Sequence, residues 1–255
     1  MKKMSLKAEV VRKSSFSLTI RDTGRRNLVR LARAVQRLKI LDLDEHCRTD
    51  PLYWLMNHTR TRDDHWKEKG TEPYARFPDK PYFPFLFDIL RTSRRLFLPK
   101  SREMGLSWAV IGDSFHLCQW NPNTHVIVQS AKEDKSIDLV VGKGIPGYAR
   151  VLWEQQDECL KILHPLTKSI EDMPGDLLTW QNGSSIRGVP AGADQIRQYH
   201  PARFILDEAA FLPEAEQSYN AAEPVASQIT AVSSAAPGWF ADKCQSIMDN
   251  WPETV

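Results

Sequence analysis

Residues 99 to 108 read PKSREMGLSW, and their types suit the cradling of a phosphate group. A phosphate loop is commonly written G-x-x-x-x-G-K-[ST], where backbone N–H groups and the lysine meet phosphate oxygens and the hydroxyl holds Mg²⁺. Aligned on Gly105 and Ser107, this stretch has Leu106 in the lysine slot and Lys100 in the slot of the first glycine. The positive charge then has to come from Lys100 and Arg102, on the other side of the loop. Ser101, Glu103 and Met104 complete the turn, and the N–H groups from Gly105 to Trp108 would open a helix with its positive dipole end toward the phosphates. Taken alone, the stretch reads equally well as an ordinary strand-to-helix turn.

Further along, RFILDEAAF (203–211) ends an apolar run in two adjacent acids. In open α/β sheets ligands bind beyond the C-terminal ends of strands. Asp207 is therefore placed to hold Mg²⁺ through water, and Glu208 to orient and polarise a water attacking a γ-phosphate. Two acids after a strand also suit a plain helix start, where the dipole favours negative charge. In ITAVSSAAPG (229–238) another apolar run ends in Ser233 and Ser234, either of which could face the γ-phosphate and register hydrolysis as changed hydrogen bonding. By itself that is a strand and a turn. Only the ordered set of three stretches points to a nucleotide site.

These residues need elements to hold them. RRLFLP, THVIVQS, RFILDE and QITAVSS read as strands covered on both faces, and GLSWAVIGDSFHLCQW and LPEAEQSYNAA as helices between them. The alternation predicts a parallel α/β sheet. LLTWQNGSSIRGV has two β-prone segments around Asn182-Gly183, a two-residue hairpin signal, and predicts a β-hairpin inserted before the RFILDE strand. DPLYWLMNHT predicts a short helix capped by Asp50 with Pro51 in its first turn, and TEPYARFPDKPYFP a proline-rich connector. We place a helical arm and connector over residues 1–75 and the main domain over residues 76–255.

With 255 residues and 42% apolar content the chain can bury a full core. Its net charge of +2 hides an asymmetry: residues 1–40 carry +10, residues 41–75 carry −3 and the remainder −5. In the arm, Leu28, Leu31, Ala32, Val35 and Leu38 recur at helical spacing. That pattern suits a helix docking its apolar stripe and solvating its charges, or a basic surface for nucleic acid, an acidic partner or membrane headgroups. No apolar run is long enough to cross a bilayer, and the N-terminal residues lack a signal-peptide pattern, so a cytoplasmic protein is expected. The four cysteines lie far apart with neither zinc-site nor disulfide spacing, and are expected to be reduced thiols.

Together these residues resemble the ATPase domain of the large terminase subunit, the motor that packages DNA into tailed-bacteriophage heads. SREMG is similar to that family's S-R-Q-x-G loop, with Glu103 in place of the glutamine. One branch carries the loop lysine at the start, K-x-R-Q-x-G-x-[ST], and Lys100, Arg102, Gly105 and Ser107 match it. QNGSSIRGVPAGADQIRQYHPARFILDEAAF resembles the N-G-S-x-I … R-G … D-E-A-A-F block, and VSSAAPGWF the S-T-P-x-G coupling motif. The resemblance covers residues 80 to about 243.

It implies a P-loop NTPase fold of the ASCE type, a parallel sheet flanked by helices, with an inserted β-hairpin and an N-terminal helical arm. It implies ATP and Mg²⁺, with hydrolysis driving double-stranded DNA into a procapsid through a homo-oligomeric ring, pentameric when docked on the portal protein. The small terminase subunit is a further implied partner, and the implied location is the host cytoplasm, transiently at the procapsid. Lys100, Arg102 and the rest of the loop from Ser101 to Trp108 would hold phosphates, Ser107 and Asp207 Mg²⁺, Glu208 the water, with Ser233 or Ser234 as relay. Arg197 matches the arginine that acts across the subunit boundary in similar motors, with Arg187 and Arg150 as alternatives.

The departures from the family are Leu86 nearest the place of an adenine-reading glutamine, Arg197-Gln198 at the R-G pair, and Ser-Ser-Ala-Ala-Pro for S-T-P. The family's ribonuclease-H-like nuclease domain has no counterpart before WPETV, so no DNA cleavage is expected of this chain. Two alternatives stand beside the motor: a helicase-like nucleic-acid-dependent ATPase, which would need further motifs, and a non-hydrolysing docking module, suggested by Leu106 and opposed by the retained Glu208. The basic arm is expected to contact DNA or the assembly partner.

Overall fold

The computed structural model describes residues 29–63 and 66–250, so the basic arm up to residue 28 lies outside the described residues. The chain divides into two compact units, Met1–His46 and Cys47–Val255. In the first, every described residue belongs to helix α1 (29–49), whose residues 47–49 are counted with the second unit.

The second unit holds helices α2 (Pro51–His58), α3 (Trp66–Lys69), α4 (Phe83–Thr92), α5 (Leu106–Trp120), α6 (Glu133–Leu139), α7 (Tyr148–Gln155), α8 (Glu158–Leu163), α9 (Ala215–Ala222) and α10 (Trp239–Asp249). Its strands are β1 (Thr61–Arg62), β2 (Tyr74–Ala75), β3 (Arg95–Lys100), β4 (His125–Ser130), β5 (Leu177–Thr179), β6 (Ser185–Val189), β7 (Arg203–Asp207) and β8 (Gln228–Ser234). Helix α2 begins as its sequence dictates: the Tyr53 N–H donates to Asp50 Oδ1 at 2.8 Å, and Pro51 occupies the first turn, where no donor is needed. Its Trp54 is fully buried and stacks on Phe115 of α5 at 5.4 Å, so residues grouped with the arm in sequence pack inside the larger unit.

Six strands form a mixed, mostly parallel sheet in the order β3-β8-β7-β4-β6-β5, and only β5 runs antiparallel to its neighbour. The strand leading into the phosphate-loop stretch and the strand ending in the paired acids are therefore not adjacent. β8 lies between them, with Lys100 level with Ser234 and Asp207 level with Val232. All five residues of β7 are buried, which explains why its sequence does not alternate. On one face Ile127, Phe204, Leu206 and Ala231 pack with Tyr219 of α9 and Phe240 of α10. α5 is buried nearly all round, Asp113, Ser114, His116 and Gln119 included.

The expected hairpin forms ahead of β7, with β5 antiparallel to β6, but its connection is longer than two residues. The connection spans residues 180–184, and Gly183 takes the φ of +87° that favours glycine. The hairpin also joins the main sheet: β6 pairs in parallel with β4, His125 opposite Ser185, and extends it. Ile186 and Val189 are buried there, and covering them is what recruits the hairpin to the sheet edge. Helices α6 to α8 occupy the connection between β4 and β5.

The end of the sheet opposite the strand C-termini is fixed by a buried charge. Arg203, 2% exposed, donates to Asp113 Oδ2 at 2.6 Å, to Ser114 Oγ at 3.0 Å and to the Leu90 carbonyl at 3.0 Å, and pairs with Gln228 Oε1. A buried guanidinium is tolerable only when its donors are satisfied, as here.

Candidate active site

The C-terminal ends of β3, β4 and β7 line one cleft of about 870 Å³, and β8 lies between β3 and β7 behind it. Between β3 and α5 the chain must reverse tightly, and it does so with Glu103 at φ +62° and Gly105 at φ +75°. Gly105 precedes the first residue of α5, so the free N–H groups of that helix open at the turn. Two side chains brace the turn. The Tyr82 hydroxyl donates to the Met104 carbonyl, and the Ser101 N–H donates to Met104 Sδ at 3.4 Å. Lys100, Glu103, Met104, Gly105, Leu106, Ser107 and Trp108 all line the cleft, whereas Ser101 and Arg102 are exposed outside it.

The chemistry-bearing groups meet across strands. Ser107 Oγ donates to Asp207 Oδ1 at 2.7 Å, joining the start of α5 to the end of β7. Burial pushes the Asp207 carboxyl up to about 6; the Ser107 hydrogen bond and the Lys100 charge oppose that rise, and neighbouring Glu208 adds to it. Glu208 itself sits at φ +53°, ψ +45°, a left-handed conformation that turns the chain sharply after β7 and directs the next residues into a short 3₁₀ turn. Its carboxylate accepts from three directions: Lys100 Nζ at 2.8 Å, the Ser234 N–H at 3.3 Å and Ser233 Oγ at 3.5 Å. Ser233 Oγ in turn accepts from the Ala210 N–H at 3.0 Å. Lys100, Ser107, Asp207, Glu208, Ser233 and Ser234 thus form one connected set drawn from β3, α5, β7 and β8.

The residues at this end of the sheet fit a divalent cation of the hard, oxygen-liganded kind. Ser107 Oγ and Asp207 Oδ1 are neighbouring oxygens at the cleft wall, and among the described residues no group of three His, Cys, Asp or Glu forms a self-sufficient metal cage. Such a pair suits an ion that takes its remaining ligands from phosphate oxygens and water.

That geometry stands on an architecture seen before. The chain shares its fold with a bacteriophage large terminase. It superposes on the large terminase of bacteriophage HK97 with a TM-score of 0.54, at 11% sequence identity, over 78% of this chain and 41% of that one. Weaker likenesses include the Thermus phage P74-26 large terminase ATPase domain (TM-score 0.43, 16% identity, 72% of this chain and 73% of that one). Another is the large terminase of a thermophilic bacteriophage in complex with ADP (TM-score 0.44, 14% identity, 68% of this chain and 43% of that one). The chain spans less than half the length of the HK97 and ADP-bound proteins. No protein-family model and no curated protein sequence matches it.

The arginines considered for a role across a subunit boundary lie elsewhere. Arg197 is exposed and donates to Asp194 at 3.0 Å; Arg187 pairs with Asp176 at 3.3 Å and Arg150 with Glu154 at 2.6 Å. None of the three lines the cleft. Leu86 is buried in α4, away from the cleft lining. Several cleft residues carry no motif in sequence: Arg62, Arg76 and Phe77 around the β1–β2 pair, and Tyr148 at the start of α7. Trp108 lies flat on Tyr148 at 3.8 Å and edge-on to Phe77 at 6.0 Å. The run of aromatics before α4 was the available signal for this wall, but nothing in it specified a partner.

Proposed function

We propose that this chain is the ATPase module of a DNA-packaging terminase large subunit, coupling Mg-ATP hydrolysis to the translocation of double-stranded DNA into a procapsid. The observation that carries the reading is the convergence of Ser107, Asp207, Lys100 and Glu208 on one cleft at the C-terminal sheet edge, with β8 between β3, which leads to Lys100 and α5, and β7, which leads to Asp207 and Glu208. The fold likeness to the HK97 large terminase supports it, as do the ordered motifs of the displaced-lysine branch.

In this reading ATP lies with its phosphates against the turn from Lys100 to Ser107, where the helix N–H groups and the Lys100 ammonium neutralise charge. Ser107 and Asp207 would hold Mg²⁺, which would supply charge neutralisation at the phosphates. Glu208 orients the attacking water and draws its proton toward the carboxylate. Ser233 and the Ser234 N–H, both bonded to Glu208, relay a change at that carboxylate into β8 and the α10 segment beyond. Arg102 neutralises phosphate charge from the rim, and Arg197 serves a neighbouring subunit's site in a homo-oligomeric ring. That ring would be pentameric on the portal protein, with the small terminase subunit as a further partner, acting in the host cytoplasm at the procapsid.

The test is steady-state phosphate release from Mg-ATP by the wild type and Glu208→Gln, with and without duplex DNA, over a range of protein concentrations. Turnover that rises with protein concentration and disappears in the variant, with ATP binding retained, is the expected outcome. ATP binding without turnover under every condition would favour a docking module instead.

A further inference from the structure

Among the described residues five cations line the cleft, and four of them are engaged. Lys100 bonds Glu208, Lys69 bonds Asp63 at 2.8 Å, Lys135 lies 3.5 Å from Asp138, and the Arg62 guanidinium donates to the Pro146 carbonyl. Arg76 is the fifth, and among the described residues it has neither hydrogen bond nor ion pair. It is also exposed, so its conformation is not fixed by packing.

Its setting is rigid even though its side chain is free. Arg76 directly follows β2, which pairs with β1 through Arg62↔Tyr74 and Thr61↔Ala75, and the Asp63 N–H closes onto the Pro73 carbonyl at 2.9 Å. Arg62 ties the same pair of strands to the chain before α7. Phe77, next in sequence, is 5% exposed and packs edge-on to Trp108, one residue beyond Ser107. A cation at position 76 is therefore held in register with the turn that would take the phosphates.

Ala75, Phe77 and Pro78 line the cleft beside Arg76, and they are apolar. Phosphates have no use for such a wall, but the face of a nucleobase does, and a planar guanidinium complements it by stacking on the ring or donating to its edge and to ribose oxygens. We propose that Arg76 is a substrate-contacting residue that grips the nucleoside end of a nucleoside triphosphate in this cleft. This rests on the nucleotide-site reading above, and it assigns the base-side contact to the β1–β2 segment rather than to the position of Leu86.

Calorimetric titration of the full chain with Mg-ATP and, separately, with inorganic triphosphate separates the possibilities. For Arg76→Ala the expected result is an ATP Kd raised about tenfold, the scale of one charge-assisted or cation–π contact, with triphosphate affinity unchanged within about twofold. Arg76→Lys should stay weakened, because an ammonium keeps the charge and loses the plane. Unchanged ATP affinity in Arg76→Ala would overturn the proposal, as would equal losses for ATP and triphosphate, which would make Arg76 a phosphate contact. Wild-type protein that binds neither ligand would remove the nucleotide site itself, and this proposal with it.

Discussion

Glu208 carries a backbone strain that can be measured apart from its chemistry. At φ +53° and ψ +45° it occupies the left-handed region, which for a residue with a Cβ costs roughly 1–2 kcal/mol. Glycine occupies that region freely, but its looser unfolded chain returns about 0.4–1 kcal/mol of the gain. Comparing Glu208→Gly with Glu208→Ala cancels the lost ion pair to Lys100 and the lost bonds from Ser233 and Ser234, because both variants lose them. The glycine variant should therefore be the more stable of the two by about 0.5–1 kcal/mol. In a unit of this size that is a melting difference of roughly 1–4 °C. Urea denaturation and calorimetry of both proteins measure it, and phosphate release should be lost in both. An alanine variant as stable as the glycine variant would refute the claim that Glu208 is held in strain, and with it the idea that the turn exists to aim its carboxylate.

Three further outcomes follow from the geometry. His116 is buried against Trp54 and Trp120, its Nε2 donating to the Cys47 carbonyl, and burial pushes its pKa down to about 4 from an ordinary 6.5. The stability contributed by the neutral ring is intact above about pH 6.5 and lost as pH falls toward 4, by about 3 kcal/mol at roughly 1.4 kcal/mol per unit. His116→Gln should flatten the pH dependence of urea unfolding across that window. Arg203→Met strands Asp113 in the core and should cost roughly 3–5 kcal/mol in urea unfolding, with Arg203→Met/Asp113→Leu recovering part of the loss. Ser107→Ala removes the hydroxyl 2.7 Å from Asp207 and should weaken Mg-ATP binding roughly tenfold in titration while affecting metal-free ATP less.

Much of this was written in one dimension. Buried parallel strands need apolar residues on both faces, so RRLFLP, THVIVQS, RFILDE and QITAVSS announced β3, β4, β7 and β8 as continuous runs. Capping chemistry acts over three residues, and Asp50 with Pro51 marked the start of α2 without tertiary help. The turn into α5 was legible because left-handed geometry calls for glycine, and Gly105 stands just before Leu106. The motif residues are likewise local: Lys100, Asp207, Ser233 and Ser234 sit at the ends of strands, Glu208 directly after β7 and Ser107 in the first turn of α5.

What the tertiary structure decided was adjacency. Residue order carries no information on which strand lies beside which, and only packing placed β8 between β3 and β7 and so brought Ser233 and Ser234 to Glu208. The hairpin joined the main sheet because its own apolar face needed cover. Arg203 and Asp113 are 90 residues apart, and a single arginine before an apolar run reads as a surface charge until the fold removes its water. The cleft wall around Arg76 and Phe77 belongs to the same class, since two-residue strands leave too short a pattern to be seen. Sequence determined the strands, the caps and the reactive turn, because those depend on neighbours along the chain; the sheet order, the buried charge and the second wall of the cleft depend on neighbours in space.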